Sequence, residues 1–269
     1  MKPNKKNGAK PSRGGRAERV ERTERVSPFA ERFFMVDGIA AVAEYARFTP
    51  DRIKEIYYAP QHKQAVERLA EAHNLKVPLR EREAEPGEYA APVSASVELK
   101  ACPFDVLLSR LGERKRDVII ALDHITDPRN LGAIVRSAAF FGVREVLVPE
   151  RRQVLLTQAG VNTAQGGFAL SDLVVVVNLS RALSELKDRG YWIIGAAMDG
   201  EPYSKLANVY DKTVLVLGSE DSGLSRQVSE HCDRLAAIPG QGRGLDSLNV
   251  SVAAGIFLCE FTRVTAATP

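Results

Sequence analysis

The sequence predicts an α/β protein of two modules, the larger built on a parallel sheet with helices on both faces. Three observations predict it. Continuous apolar runs such as Val118-Ile119-Ile120-Ala121-Leu122 and Val214-Leu215-Val216-Leu217 read as strands covered on both sides, as parallel pairing requires. Segments with helical spacing lie between such runs, so strands and helices alternate along the chain. A Glu-, Arg- and Pro-bearing loop at 81–92 and an ill-defined stretch at 97–117 stand between a small early set of elements and a larger late one.

Residues 1–26 carry nine Lys or Arg against three Glu, a charge of +6 in a chain whose total is +3. Residues 1–30 therefore read as a basic, disordered tail, either phosphate-seeking or only solubilising, and any nucleic-acid affinity of the remaining, net-negative part must come from a local patch. Residues 31–105 form the first module. Asp37 and Gly38 open a helix at 39–46, and the β-branched and aromatic content of 53–58 marks a strand. Val66, Leu69 and Ala70 then recur at helical spacing in a segment ending near Asn74, and 76–79 is a short strand. Residues 106–117, rich in Arg and Lys, are read as the linker. The second module, 118–269, has strands expected at 118–123, 145–148, 173–177, 192–196, 213–217 and 235–238, with helices at 131–141, 179–189 and 248–263.

Composition narrows the class. An apolar fraction of 45% can build a core. No apolar run approaches about 20 residues, and the polar, basic N-terminus has no apolar signal region, so neither a membrane span nor secretion is expected. Cys102, Cys232 and Cys259 are odd in number and never C-x-x-C, which suits a reducing cytosol and neither disulfides nor zinc. His62, His73, His124 and His231 show no ligand spacing, and no metal is expected.

Three motifs carry chemistry. The first runs from Asp127-Pro128-Arg129-Asn130 to Arg136-Ser137-Ala138 after the opening strand. Asn130 is expected to cap its helix, with Ile134, Ala138 and Phe141 on the buried face. Arg136 lies about 200° round the axis from Ile134. Its fork of donors suits a phosphate or ribose hydroxyl, and an ordinary solvated charge is the plain alternative. The second motif, Gly218-Ser219-Glu220-Asp221-Ser222-Gly223, ends a buried strand in a glycine-bracketed loop. It is neither G-x-G-x-x-G nor a P-loop, which sets aside a nicotinamide-dependent dehydrogenase; Gly218 leaves backbone open to a flat ligand at the strand's carboxyl end. The third runs from Ile238-Pro239 through a Gly-rich loop to Ser247-Leu248-Asn249-Val250-Ser251, with Ser247 expected as N-cap. Ser251, Ala253, Ala254 and Gly255 are small enough to demand close approach by another backbone or a ligand.

The third motif resembles that of the SpoU (TrmH-like) RNA 2'-O-ribose methyltransferases of the SPOUT superfamily, and the first two resemble its companions in the same order. Within that family the chain is most similar to the bacterial 23S rRNA guanosine 2'-O-methyltransferases, through Gly38, Ala41 and Val42 early on and Glu230-His231-Cys232-Asp233 later. It departs from them at 162–168, which bears on the RNA target. The resemblance implies a deep trefoil knot in the second module, a ribosomal-protein-like first module that binds RNA, and S-adenosylmethionine as cofactor. Gly218, Ile238 and Leu248 would line the cofactor, with Ala196 and Ala197 adding backbone contacts. Arg136 would be the catalytic arginine, with Asn130, Glu220, Ser247 and Asn249 positioning it and the nucleotide. Methylation of a guanosine in 23S rRNA is the function implied. A tRNA methyltransferase and a non-enzymatic RNA-binding or ribosome-assembly protein are the alternatives; the first module favours rRNA, and the presence of Arg136 and Asn249 favours an enzyme. A homodimer through the second module is also implied. Its local motive is the last helix, where Leu248, Val252, Ile256 and Cys259 trace one apolar stripe while Val250, Phe257 and Phe261 lie off it.

Overall fold

The structure, a computed structural model, describes residues 32–83, 91–112, 115–150, 156–207, 209–241 and 247–263. The basic tail expected over 1–30 lies outside the described residues.

The first module comprises β1 (Arg32–Asp37), α1 (Ile39–Phe48), β2 (Ile53–Tyr58), α2 (Lys63–Ala72), β3 (Leu79–Glu81) and β4 (Val93–Leu99). Its sheet runs β1-β4-β2-β3, with β4 antiparallel to both neighbours and β2 parallel to β3. Phe34, Val36, Ile56, Ala95 and Val97 bury one face with Val42 and Tyr45 of α1 and Val66 of α2. The central strand β4 falls partly in the stretch read as ill-defined. Its sequence, Val-Ser-Ala-Ser-Val-Glu-Leu, alternates strictly and carries the period of a strand.

The second module comprises β5 (Cys102–Pro103), α3 (Phe104–Arg110), β6 (Asp117–Asp123), α4 (Pro128–Phe140), β7 (Glu145–Pro149), α5 (Gln158–Ala164), β8 (Asp172–Val176), α6 (Leu179–Lys187), β9 (Trp192–Pro202), α7 (Tyr203–Leu206), β10 (Lys212–Gly218), α8 (Arg226–Ser229), β11 (Arg234–Ala237) and α9 (Val250–Phe261). Its seven strands run β11-β9-β10-β6-β7-β8-β5, and every pairing is parallel. Ile119, Ile120, Ala121 and Leu122 of β6 and Val214 to Leu217 of β10 are wholly buried, because helices cover both faces. One face lies under α3 and α6, the other under α4 and α9, giving two apolar cores.

Part of the stretch read as linker is ordered structure. Cys102 pairs with Val174 at the edge of the large sheet, and α3 follows directly, burying Leu107 and, just beyond it, Leu111. Phe104, Leu107, Leu108 and Leu111 recur at helical spacing and cover the edge of one core. Strand β9 runs well past the expected 196, and its register against β11 breaks between Leu235 and Ala236.

Candidate functional site

Motif one begins at the carboxyl end of β6. Asp127, not Asn130, caps α4: its Oδ1 accepts from Arg129 N at 2.8 Å, with Pro128 at the first helical position. Asn130 is displaced into the first turn, where its side chain is free for other partners. Motif three behaves likewise. Asn249, not Ser247, caps α9, its Oδ1 accepting from Ser251 N at 2.9 Å and Ser251 Oγ at 2.6 Å. The helix begins at Val250, so Asn249 holds the cap position and Ser247 is left exposed two residues outside.

Asn130, Glu220 and Asn249 meet. Asn249 Nδ2 donates to Asn130 Oδ1 at 3.1 Å, and Asn130 Nδ2 donates to Glu220 Oε1. One backbone group sets the direction of this chain. Ser251 N–H can only donate, so Asn249 must present its oxygen there and its amide nitrogen to Asn130, which then turns its own nitrogen to Glu220. Among the described residues the second carboxylate oxygen and one N–H of each amide have no partner.

The loop bearing Glu220 is closed by backbone bonds between Ser219 and Gly223 at 3.0 and 2.9 Å. Gly218 permits this closure, since a Cβ there would lie 2.2 Å from Gly223 C. Asp123, almost fully buried at the end of β6, ties the loop down by accepting from Ser225 N at 2.6 Å, and its other oxygen meets His124 Nδ1 at 2.6 Å. His124 holds a left-handed backbone, φ 61. Asp123 and His124 were not among the residues singled out from the sequence; a carboxylate ending an otherwise apolar strand was the available signal.

The expected cofactor-lining residues also gather at carboxyl ends. Val216 of β10 pairs with Gly195 of β9; two residues further along lie Gly218 and Ala197, and Ile238 directly follows β11. Ala196, Ala197 and Ile238 are half-buried, and Leu248, in the approach to α9, is 49% exposed. These positions present apolar side chains and open backbone without charge, chemistry that suits a nucleoside's ring face and ring nitrogens. Residues 242–246 of the same loop lie outside the described residues.

Arg136 stands apart. It is exposed, six residues along α4 from Asn130, hence about 9 Å along the axis and 240° round it. Among the described residues its guanidinium has no hydrogen-bond or ion-pair partner, and it does not join the Asn249–Asn130–Glu220 chain.

Fold and site together define a class: an α/β protein with a parallel sheet and a polar, glycine-supported site at the strands' carboxyl ends. The profile of the SpoU rRNA Methylase family matches residues 117–259. The 23S rRNA (guanosine-2'-O-)-methyltransferase RlmB of Pseudomonas aeruginosa is 37% identical over 237 residues, covering 85% of this chain and 95% of that protein. The SpoU methyltransferase AviRb of Streptomyces viridochromogenes superposes with a TM-score of 0.71 at 23% identity, over 86% of this chain and 88% of that one. Its complex with the cofactor AdoMet gives a TM-score of 0.70 at 20% identity, over 86% of this chain and 89% of that one. The chain belongs to the SpoU rRNA methylase family.

Proposed function

We propose that this protein transfers a methyl group from S-adenosylmethionine to the ribose 2'-hydroxyl of a guanosine in 23S rRNA, acting in the cytoplasm. The hydrogen-bonded chain Asn249–Asn130–Glu220 carries this reading, because it joins the three motifs into one site beside the strand ends expected to line the cofactor. Gly218, Ile238, Leu248, Ala196 and Ala197 would hold the cofactor, which supplies an electrophilic methyl group on a positively charged sulfur. Glu220, Asn130, Asn249 and Ser247 orient the ribose, the free carboxylate oxygen accepting from a hydroxyl and the amides donating to it. Arg136 stabilises the charge that develops on the 2'-oxygen, or clamps the adjacent phosphate. A guanidinium stays charged in proteins, so this electrostatic part suits it better than that of a base. The basic tail adds phosphate affinity, and the first module carries the RNA.

Mapping 2'-O-methyl groups on 23S rRNA from cells with and without the protein tests the function. Loss of one guanosine methylation is expected; a loss confined to tRNA would replace the substrate, and no loss in any RNA would overturn the activity.

Two architectural readings go with it. From the sheet edge at β11 the chain returns to the middle of the module, where α9 packs on α4 and β10, a path that supports the knot. The second reading is a homodimer through α9. Its buried residues are Val250, Ala254, Phe257, Leu258 and Phe261, so the other apolar stripe faces outward, with Val252 51% exposed and Cys259 exposed. Phe140, at the end of α4, is 84% exposed. Fully burying such side chains is worth about 1.5–3 kcal/mol each, an incentive that a second copy satisfies. Val252→Asp is expected to convert the dimer to monomer in sedimentation while the protein stays folded, because half of the side chain is exposed in the single chain. A wild-type monomer at micromolar concentration would overturn the dimer.

A further inference from the structure

The turn after α5 touches both modules within three residues. Gln165 and Gly166 are both left-handed, φ 44 and 90, and they aim the chain at α1. A Cβ on Gly166 would stand 3.2 Å from Ala41 Cα and 3.4 Å from Glu44 Cβ. The next residue, Gly167, lies against α4, where a Cβ would stand 3.1 Å from Arg136 Cα and 3.2 Å from Arg136 N. Arg52 of the first module closes the arrangement, donating to Phe168 O at 2.9 Å and to Asp172 Oδ1 at 3.1 Å.

Helix α5 is held on the same two sides. Toward the first module, Gln158 takes the place of a neighbouring strand for β1: its Oε1 accepts from Met35 N at 3.1 Å and its Nε2 donates to Met35 O. Asn162 Nδ2 donates to Asp37 Oδ2 at 3.3 Å. Toward α4, Gly132 and Gly160 pack backbone to backbone, since a Cβ on Gly132 would stand 2.2 Å from Gly160 O.

We propose that residues 158–168 are a positioning segment that sets the first module, and the RNA it carries, relative to Arg136. This rests on the reading that Arg136 meets the reacting ribose. The substrate is then gripped in two places, by the first module and by the site, and any error between the two becomes a misalignment of the 2'-hydroxyl. The segment couples the two modules closely, because glycine backbone and buried Phe168 pack it against α4 and α1 while the Gln158 and Asn162 amides fasten it to β1. Arg136 has no side-chain partner among the described residues, so the stance of its backbone sets its reach, and Gly167 is what stands against that backbone.

Gly167→Ala tests this directly, because the added methyl displaces the Arg136 backbone by a few tenths of an ångström. A misplacement of 1 Å can cost about 10²-fold, so kcat is expected to fall about tenfold, with KM for an rRNA fragment and cofactor affinity within about twofold of wild type. In an Arg136→Ala background the same substitution should leave the residual rate unchanged. Arg52→Gln, which frees the first module without touching α4, should raise KM for the fragment and leave cofactor affinity alone; should Gly167→Ala not fold, this variant decides. The proposal is overturned if Gly167→Ala leaves kcat intact, weakens the cofactor in parallel, or costs the same factor without Arg136, or if Arg52→Gln leaves KM unmoved. A wild-type protein that binds cofactor but methylates no RNA overturns the function itself, an outcome distinct from all of these.

Discussion

Arg136→Ala is expected to slow methyl transfer by about 10²–10³-fold, the cost of removing one donor aimed at a developing oxyanion. Cofactor affinity should stay nearly unchanged, since Arg136 lies on the exposed side of α4 and the expected cofactor-lining residues lie on β9, β10, just after β11 and in the approach to α9. The fold should survive as well, because the guanidinium has no partner among the described residues that would be left buried and unpaired. Lys is expected to rescue poorly: an ammonium keeps the charge but lacks the planar fork. Single-turnover methylation of an rRNA fragment, with calorimetry for the cofactor, separates the two effects. A parallel loss of both would make Arg136 a structural residue.

Gly218→Ala acts on the other half of the site. Its Cβ would stand 2.2 Å from Gly223 C and 2.4 Å from Leu224 N, so the Ser219–Gly223 closure must open. Overpacking of this kind costs about 1–3 kcal/mol, which predicts a loss of cofactor affinity between about five- and 150-fold. Glu220 would move with the loop, breaking its bond to Asn130, so the rate at saturating cofactor should fall too. Calorimetry reads the first effect and single-turnover rates the second. An unchanged affinity in a folded variant would remove Gly218 from the cofactor site.

Cysteine chemistry offers a milder check on the packing. Burial between α6, α8 and β9 pushes the Cys232 thiol up to about 11, well above the ordinary cysteine, whereas Cys259 is exposed on α9. Alkylation of the monomeric Val252→Asp variant near pH 8 should therefore label Cys259 first and Cys232 last, because the thiolate is the reacting form. Peptide mapping after a short pulse reads the order, and equal rates would contradict the packing of α8.

What the sequence determined by itself was local. Uninterrupted apolar runs marked β6 and β10, and helical spacing marked α4, α6 and α9, because a face that must be buried writes its period into the chain. It also marked Asn130, Glu220 and Asn249 as polar residues in motifs of matching order. Tertiary structure decided the rest. Several side chains compete to cap one helix end, and backbone geometry chose Asp127 and Asn249 over Asn130 and Ser247. Helix α5 is short, and its reason for being, the glycine contacts with α4 and the amide contacts with β1, lies in residues far away along the chain. Which stripe of α9 faces inward is likewise undetermined by a helix apolar round much of its surface; packing on α4 and β10 turned Phe257 and Phe261 in and left Val252 outside. Periodicity tells a residue that it must be covered. Only the three-dimensional arrangement of the other elements says by what.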